Sequence, residues 1–125
     1  MRTDAAELIS SAQSVLSSKG TSGLSSRMAA FLARQALEEV VSQRCAKLRA
    51  SAPRSPMRTK LLVLRALDDP HQADVAAMAW NRLSNACHVH DYEMQPSISE
   101  VRHLCSVVDS LLASDARTDA EGGGH

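Results

Sequence analysis

Ser97-Ile98-Ser99-Glu100-Val101-Arg102-His103-Leu104-Cys105-Ser106-Val107-Val108-Asp109-Ser110-Leu111-Leu112 is the stretch that decides the fold class. Ile98, Val101, Leu104, Cys105, Val108, Leu111 and Leu112 recur at intervals that stack side chains on one face of an α-helix. Ser97 followed three residues later by Glu100, directly after Pro96, is a capping-box signature for the start of that helix. Upstream, Asp69-Pro70 and Ser55-Pro56 each place a capping side chain before a proline at the first helical position. They predict a fourth helix over about 70–88 and a third running to about Leu67. Before Pro53 a long helix covers about 24–50, with Phe31, Leu32, Leu37, Val40, Val41, Cys45 and Leu48 among its apolar positions. Ala5, Leu8, Ile9, Ala12, Val15 and Leu16 mark a first helix over 4–18. Gly20 closes it, and Thr21-Ser22-Gly23 makes the turn, with Ser22 as the next N-cap. The prediction is an all-α, four- to five-helix antiparallel bundle: one domain over 1–114, then a polar, Gly-rich disordered tail over 115–125.

The composition agrees. Of 125 residues 44% are hydrophobic but only 2% aromatic, so the core is built from small and branched aliphatics, which suits close helix–helix packing. The apolar runs fall far short of the roughly 20 residues needed to span a bilayer. Met1-Arg2-Thr3-Asp4-Ala5-Ala6-Glu7 has no signal-peptide pattern. Cys45, Cys87 and Cys105 are odd in number and lack CxxC spacing, so no disulfide framework is expected. These features point to a cytoplasmic protein with reduced thiols, no membrane partner and no cofactor.

Net charge is zero, but it is unevenly spread. Arg44, Lys47, Arg49, Arg54, Arg58, Lys60 and Arg65 fall between Val40 and Leu67 without one acidic residue, whereas acidic residues dominate from Asp68 onward. A basic middle could face nucleic acid, or it could pair with the acidic half within one bundle or across a dimer. The scarcity of aromatics argues against a base-stacking platform for single strands.

Residues 80–97, Trp80-Asn81-Arg82-Leu83-Ser84-Asn85-Ala86-Cys87-His88-Val89-His90-Asp91-Tyr92-Glu93-Met94-Gln95-Pro96-Ser97, gather the side chains with chemical potential. On the fourth helix Ala76, Trp80, Leu83 and Cys87 share the core stripe, while Asn81, Asn85 and His88 stack on another face with Arg82 beside them. Two amides, a guanidinium and an imidazole suit recognition of a ligand better than mere contact with water. Imidazole titrates near neutrality and can take a proton from a hydroxyl. Guanidinium forks onto phosphate oxygens and stabilises developing negative charge. Arg82 and His88 are therefore the catalytic candidates, for attack of an RNA 2′-OH on its adjacent phosphate without a metal. Asn81, Asn85, His90 and Tyr92 are candidate substrate-binding groups. The structural alternative makes Arg82 a surface charge, His88 a residue favouring the helix dipole, and Tyr92 a cap on the core edge.

Phe31-Leu32-Ala33-Arg34-Gln35-Ala36-Leu37-Glu38 resembles the second-helix pattern of the HEPN superfamily (higher eukaryotes and prokaryotes nucleotide-binding). Arg82 and His88, with five residues between them, resemble its Arg-x(4–6)-His signature. The resemblance spans about residues 4–113. It implies a helical bundle, a homodimer that brings two Arg–His motifs into a shared cleft, and a metal-independent endoribonuclease of a toxin–antitoxin or defence system. RNA, an antitoxin or a nucleotidyltransferase would then be the partners. The residue after the arginine is commonly polar in active members; here it is Leu83, and Asn85 stands in its place on the helix.

Two rivals remain. Cys87, His88, His90, His103 and Cys105 could be taken for a metal site, but their spacing shares no helical face and no metal is expected. The stronger rival is a non-catalytic helical dimerisation or partner-binding module, HEPN-like or unrelated.

Overall fold

The computed structural model describes residues 4–17, 23–48, 55–87 and 97–122. Among these there are five helices and no strand: α1 (Ala5–Ser17), α2 (Gly23–Lys47), α3 (Met57–Leu67), α4 (Pro70–Cys87) and α5 (Ile98–Gly122). The all-α bundle expected from the periodicity is the observed fold.

Local chemistry sets the helix starts. Asp4 Oδ1 accepts from the Ala6 N–H (3.1 Å), Asp69 Oδ1 from the His71 N–H (3.0 Å), and Ser97 Oγ from the Glu100 N–H (3.0 Å). Each satisfies a donor that has no partner inside its own helix. Pro70 then occupies the first helical position of α4, as its sequence implies. The third helix corrects the expectation of a Ser55 cap. Pro56 itself takes the N-cap position in extended backbone with no side-chain cap, and its carbonyl accepts the first helical bond from the Lys60 N–H at 3.1 Å. Ser55 stands one residue too early to reach the free donors. The expected Ser22 cap and Gly20 stop lie outside the described residues. At the other end, the backbone of α5 continues helical to Gly122, whereas the sequence reading ends the bundle at residue 114. Asp115-Ala116-Arg117-Thr118-Asp119-Ala120-Glu121 has no apolar stripe, but it has no proline or glycine either, and extending an existing helix costs little per residue.

The long α2 is the hub: it packs against each of the other four helices. Arg34 on α2 meets Ser84 on α4, and Arg44 meets Gln72, so these two helices run antiparallel. Helices α1 and α5 close the other side of α2, while α3 braces α2 against α4. Ala29, Ala30, Ala33 and Ala36 of α2, Ala5 and Ala12 of α1, and Ala73, Ala76 and Ala79 of α4 are all buried. Small side chains at these contacts let helix axes approach closely, and Leu37, Leu64, Leu83, Leu104 and Val108 fill the space between. Phe31 departs from its expected apolar-face role: it is 47% exposed, beside Met28 at 51%. Its place in the helical repeat lies on the outward side of α2.

Candidate functional site

Helix α4 has an inner and an outer face. Ala73, Ala76, Ala79 and Leu83 are buried. Trp80 and Cys87, expected in the same stripe, sit half-buried at its edge. Leu83 is fully buried against the core. That explains the apolar residue after Arg82, since a polar side chain there would need a buried partner. Asn81, Arg82 and Asn85 are exposed. The exposed guanidinium and amides make no hydrogen bond or ion pair with another described residue. His88, His90 and Tyr92 lie outside the described residues. A six-residue step along an ideal α-helix turns its ends roughly 120° apart around the axis and about 9 Å along it. The Arg82 and His88 pair therefore acts on one phosphate only if the two side chains converge from different directions.

A second guanidinium against α4, on the edge that carries Trp80 and Ser84, was missed in the sequence. Arg34 of α2 lies over the Trp80 ring, 4.2 Å from its centroid, and its Nε–H donates to Ser84 Oγ at 3.0 Å. The ring contact and the hydrogen bond together hold the group against α4. Its positive charge also reaches Cys87, where burial pushes the thiol upward and Arg34 pulls it partly back. The signal was faint: Arg27 and Arg34 are seven residues apart, two turns along one edge of the α2 apolar stripe.

Three charges of the basic block, on Arg44, Lys60 and Arg65, are engaged within the chain. Arg44 is only 8% exposed. Its Nη1–H donates to Gln72 Oε1, its Nη2–H donates to the Leu111 carbonyl at 2.7 Å, and Asp68 lies 3.5 Å away. Gln72 Nε2–H in turn donates to Ser114 Oγ at 2.8 Å. This chain of bonds ties α2, α4 and α5 together, and the apolar recess around it has no room for a water molecule. Lys60, 5% exposed, donates from Nζ to Ser42 Oγ at 2.8 Å, and the Cys45 thiol donates to the Lys60 carbonyl at 3.5 Å. Arg65 pairs with Asp74 at 3.0 Å on the surface. Pairing of the basic middle with acidic residues of the C-terminal half thus occurs within one chain, at Arg44–Asp68 and Arg65–Asp74.

Burial disfavours a thiolate nucleophile at both Cys87 and Cys105. Cys105 is buried, and desolvation raises its thiol from the ordinary 9.0 to about 11. His103 is exposed, turned away from Cys105 on α5. Among the described residues no three His, Cys, Asp or Glu side chains cluster closely enough to hold a metal ion. No described helix is long and apolar enough to cross a membrane.

Fold and site together define a five-helix all-α bundle whose fourth helix turns an unengaged arginine and two asparagines outward. No family model, curated protein or solved structure matches the chain.

Proposed function

We propose that this chain is a HEPN-like endoribonuclease that cleaves RNA without a metal, using Arg82 and His88. The observation that carries this reading is the outer face of α4: Asn81, Arg82 and Asn85 are exposed and make no hydrogen bond or ion pair with another described residue. In the proposed step His88 takes the proton of a ribose 2′-OH. The 2′-oxygen forms a bond to the adjacent phosphorus, the bond from phosphorus to the 5′-oxygen breaks, and that oxygen takes up a proton from water. Arg82 donates to the non-bridging oxygens, where negative charge grows. Asn81, Asn85, His90 and Tyr92 orient the strand. A homodimer would let Arg82 and His88 reach one phosphate from separate helices, and in a toxin–antitoxin or defence setting an antitoxin or a nucleotidyltransferase would bind alongside.

Single-stranded RNA incubated with the protein in EDTA tests the mechanism. Products ending in a 2′,3′-cyclic phosphate are expected, and a single 2′-deoxy substitution should abolish cleavage at its own position. Cleavage that persists across the 2′-deoxy position would overturn the 2′-OH mechanism.

A second reading has its own support. Met28 and Phe31 on α2, with Leu62 and Leu67 on α3, are large apolar side chains more than 45% exposed. Such positions fit a non-catalytic dimerisation or partner-binding module. There Phe31→Glu would break assembly in sedimentation velocity, while Arg82→Ala and His88→Ala would leave function intact.

A further inference from the structure

The Arg34 guanidinium lies over the Trp80 ring, its Nε–H donates to Ser84, and both supports come from α4, fifty residues away in sequence for Ser84. An arginine bound only for stability would be expected to close its fork on a carboxylate or on backbone carbonyls, as Arg44 closes its own on Gln72 and Leu111. Arg34 does neither. Among the described residues its two Nη groups, with four N–H donors, meet no acceptor, and no carboxylate pairs with it. A planar, charge-bearing fork with unused Nη donors matches an anion carrying several acceptor oxygens.

We propose that Arg34, seated on Trp80 and Ser84, is a phosphate-binding residue that grips the backbone of single-stranded RNA at the α2–α4 seam. This inference rests on the RNA reading above and adds to it a residue that no sequence motif supplied. Arg34 binds the strand; Arg82 and His88 act on the scissile phosphate. Stacking on Trp80 preorganises the guanidinium, so little side-chain freedom is lost when phosphate binds.

Trp80 is the only tryptophan in the chain, so its emission reports on this seam directly. The full-length protein is titrated with a 20-nucleotide single-stranded RNA at several salt concentrations, following Trp80 emission and, separately, the anisotropy of a fluorescein label on the RNA. Inorganic phosphate is titrated in parallel, to separate a site for free anions from one for a polymer backbone. Arg34→Gln is expected to weaken RNA binding about tenfold and to lower the slope of log Kd against log salt by about 0.7, the loss of one phosphate contact on a single strand. Arg34→Lys keeps the charge without the fork and should fall between Arg34→Gln and the parent chain. Arg65→Gln, on a surface pair with Asp74, should leave both quantities unchanged. Circular dichroism establishes that each variant is folded.

RNA bound by folded Arg34→Gln with unaltered Kd and salt slope would overturn the inference, even if EDTA-resistant cleavage stands. Tight binding of inorganic phosphate with no added affinity for RNA would overturn it too, in favour of a free-anion site. Failure of cleavage together with an Arg34-dependent salt slope would overturn the nuclease reading and leave the phosphate site in place.

Discussion

Removing Arg44 is the sharpest test of how the bundle holds its helices in register. The group is 8% exposed and gives two charge-assisted hydrogen bonds, to Gln72 Oε1 and to the Leu111 carbonyl, besides lying 3.5 Å from Asp68. Arg44→Ala deletes all three interactions, leaves Gln72 Oε1 without its donor, and opens a gap beside Val40 and Leu64. Charge-assisted bonds contribute about 1.5–3 kcal/mol each, and an orphaned buried polar group costs about 1–3 kcal/mol. Relief from desolvating the guanidinium offsets part of that loss, so the net destabilisation is about 3–5 kcal/mol. Arg44→Met fills the space without a charge to solvate, and should cost about 1–3 kcal/mol. The assay is urea unfolding followed by circular dichroism and Trp80 fluorescence, with coincident transitions as the check on two-state behaviour. A loss below about 1 kcal/mol for Arg44→Ala would refute the reasoning. So would a Met variant as unstable as the Ala variant, because filling the vacated volume would then recover nothing.

Three further outcomes follow from the packing. Lys60→Met removes a buried ammonium and keeps its length, so stability should change little or rise, whereas Ser42→Ala strands the ammonium and should cost about 1–3 kcal/mol; a Lys60→Met loss above about 2 kcal/mol would contradict this. Ser97→Ala removes the acceptor for the Glu100 N–H and should cost about 1 kcal/mol in the same unfolding assay, with no change if the cap is dispensable. Because the folded Cys105 thiol titrates at about 11 against the ordinary 9.0, the unfolded chain loses this proton first as pH rises. Stability should therefore fall between pH 9 and 11, and a Cys105→Ala variant should lose that share of the alkaline decline.

Much of the fold was legible because its causes are local. The i, i+3, i+4 spacing of α1 and α5, the Asp69-Pro70 start of α4 and the Ser97 cap each lie within one or two turns of chain. What escaped the sequence depends on contacts far apart along it. Arg34 and Ser84 are separated by fifty residues, and Arg44 reaches Leu111 across sixty-seven. Arg44 did carry one signal: it stands in register with Leu37, Val41 and Leu48 inside the α2 apolar stripe, where a charge must find buried partners. Phe31 counts among the apolar positions of α2 by residue type, but its angular position on the helix puts it outside. Within the candidate site, the outward placement of Asn81, Arg82 and Asn85 follows from periodicity and is seen. The partners of Arg82 in catalysis are a matter of chemistry that periodicity does not encode.

The most direct measurement takes Arg82→Ala through urea unfolding and RNA cleavage in EDTA side by side. Arg82 is exposed and bonds to no other described residue, so stability should stay within about 0.5 kcal/mol of the parent. Cleavage should fall at least a hundredfold, about 2.7 kcal/mol of lost transition-state stabilisation. An equally stable variant that cleaves RNA at the parent rate would contradict the proposal that this outward face of α4 carries the chemistry.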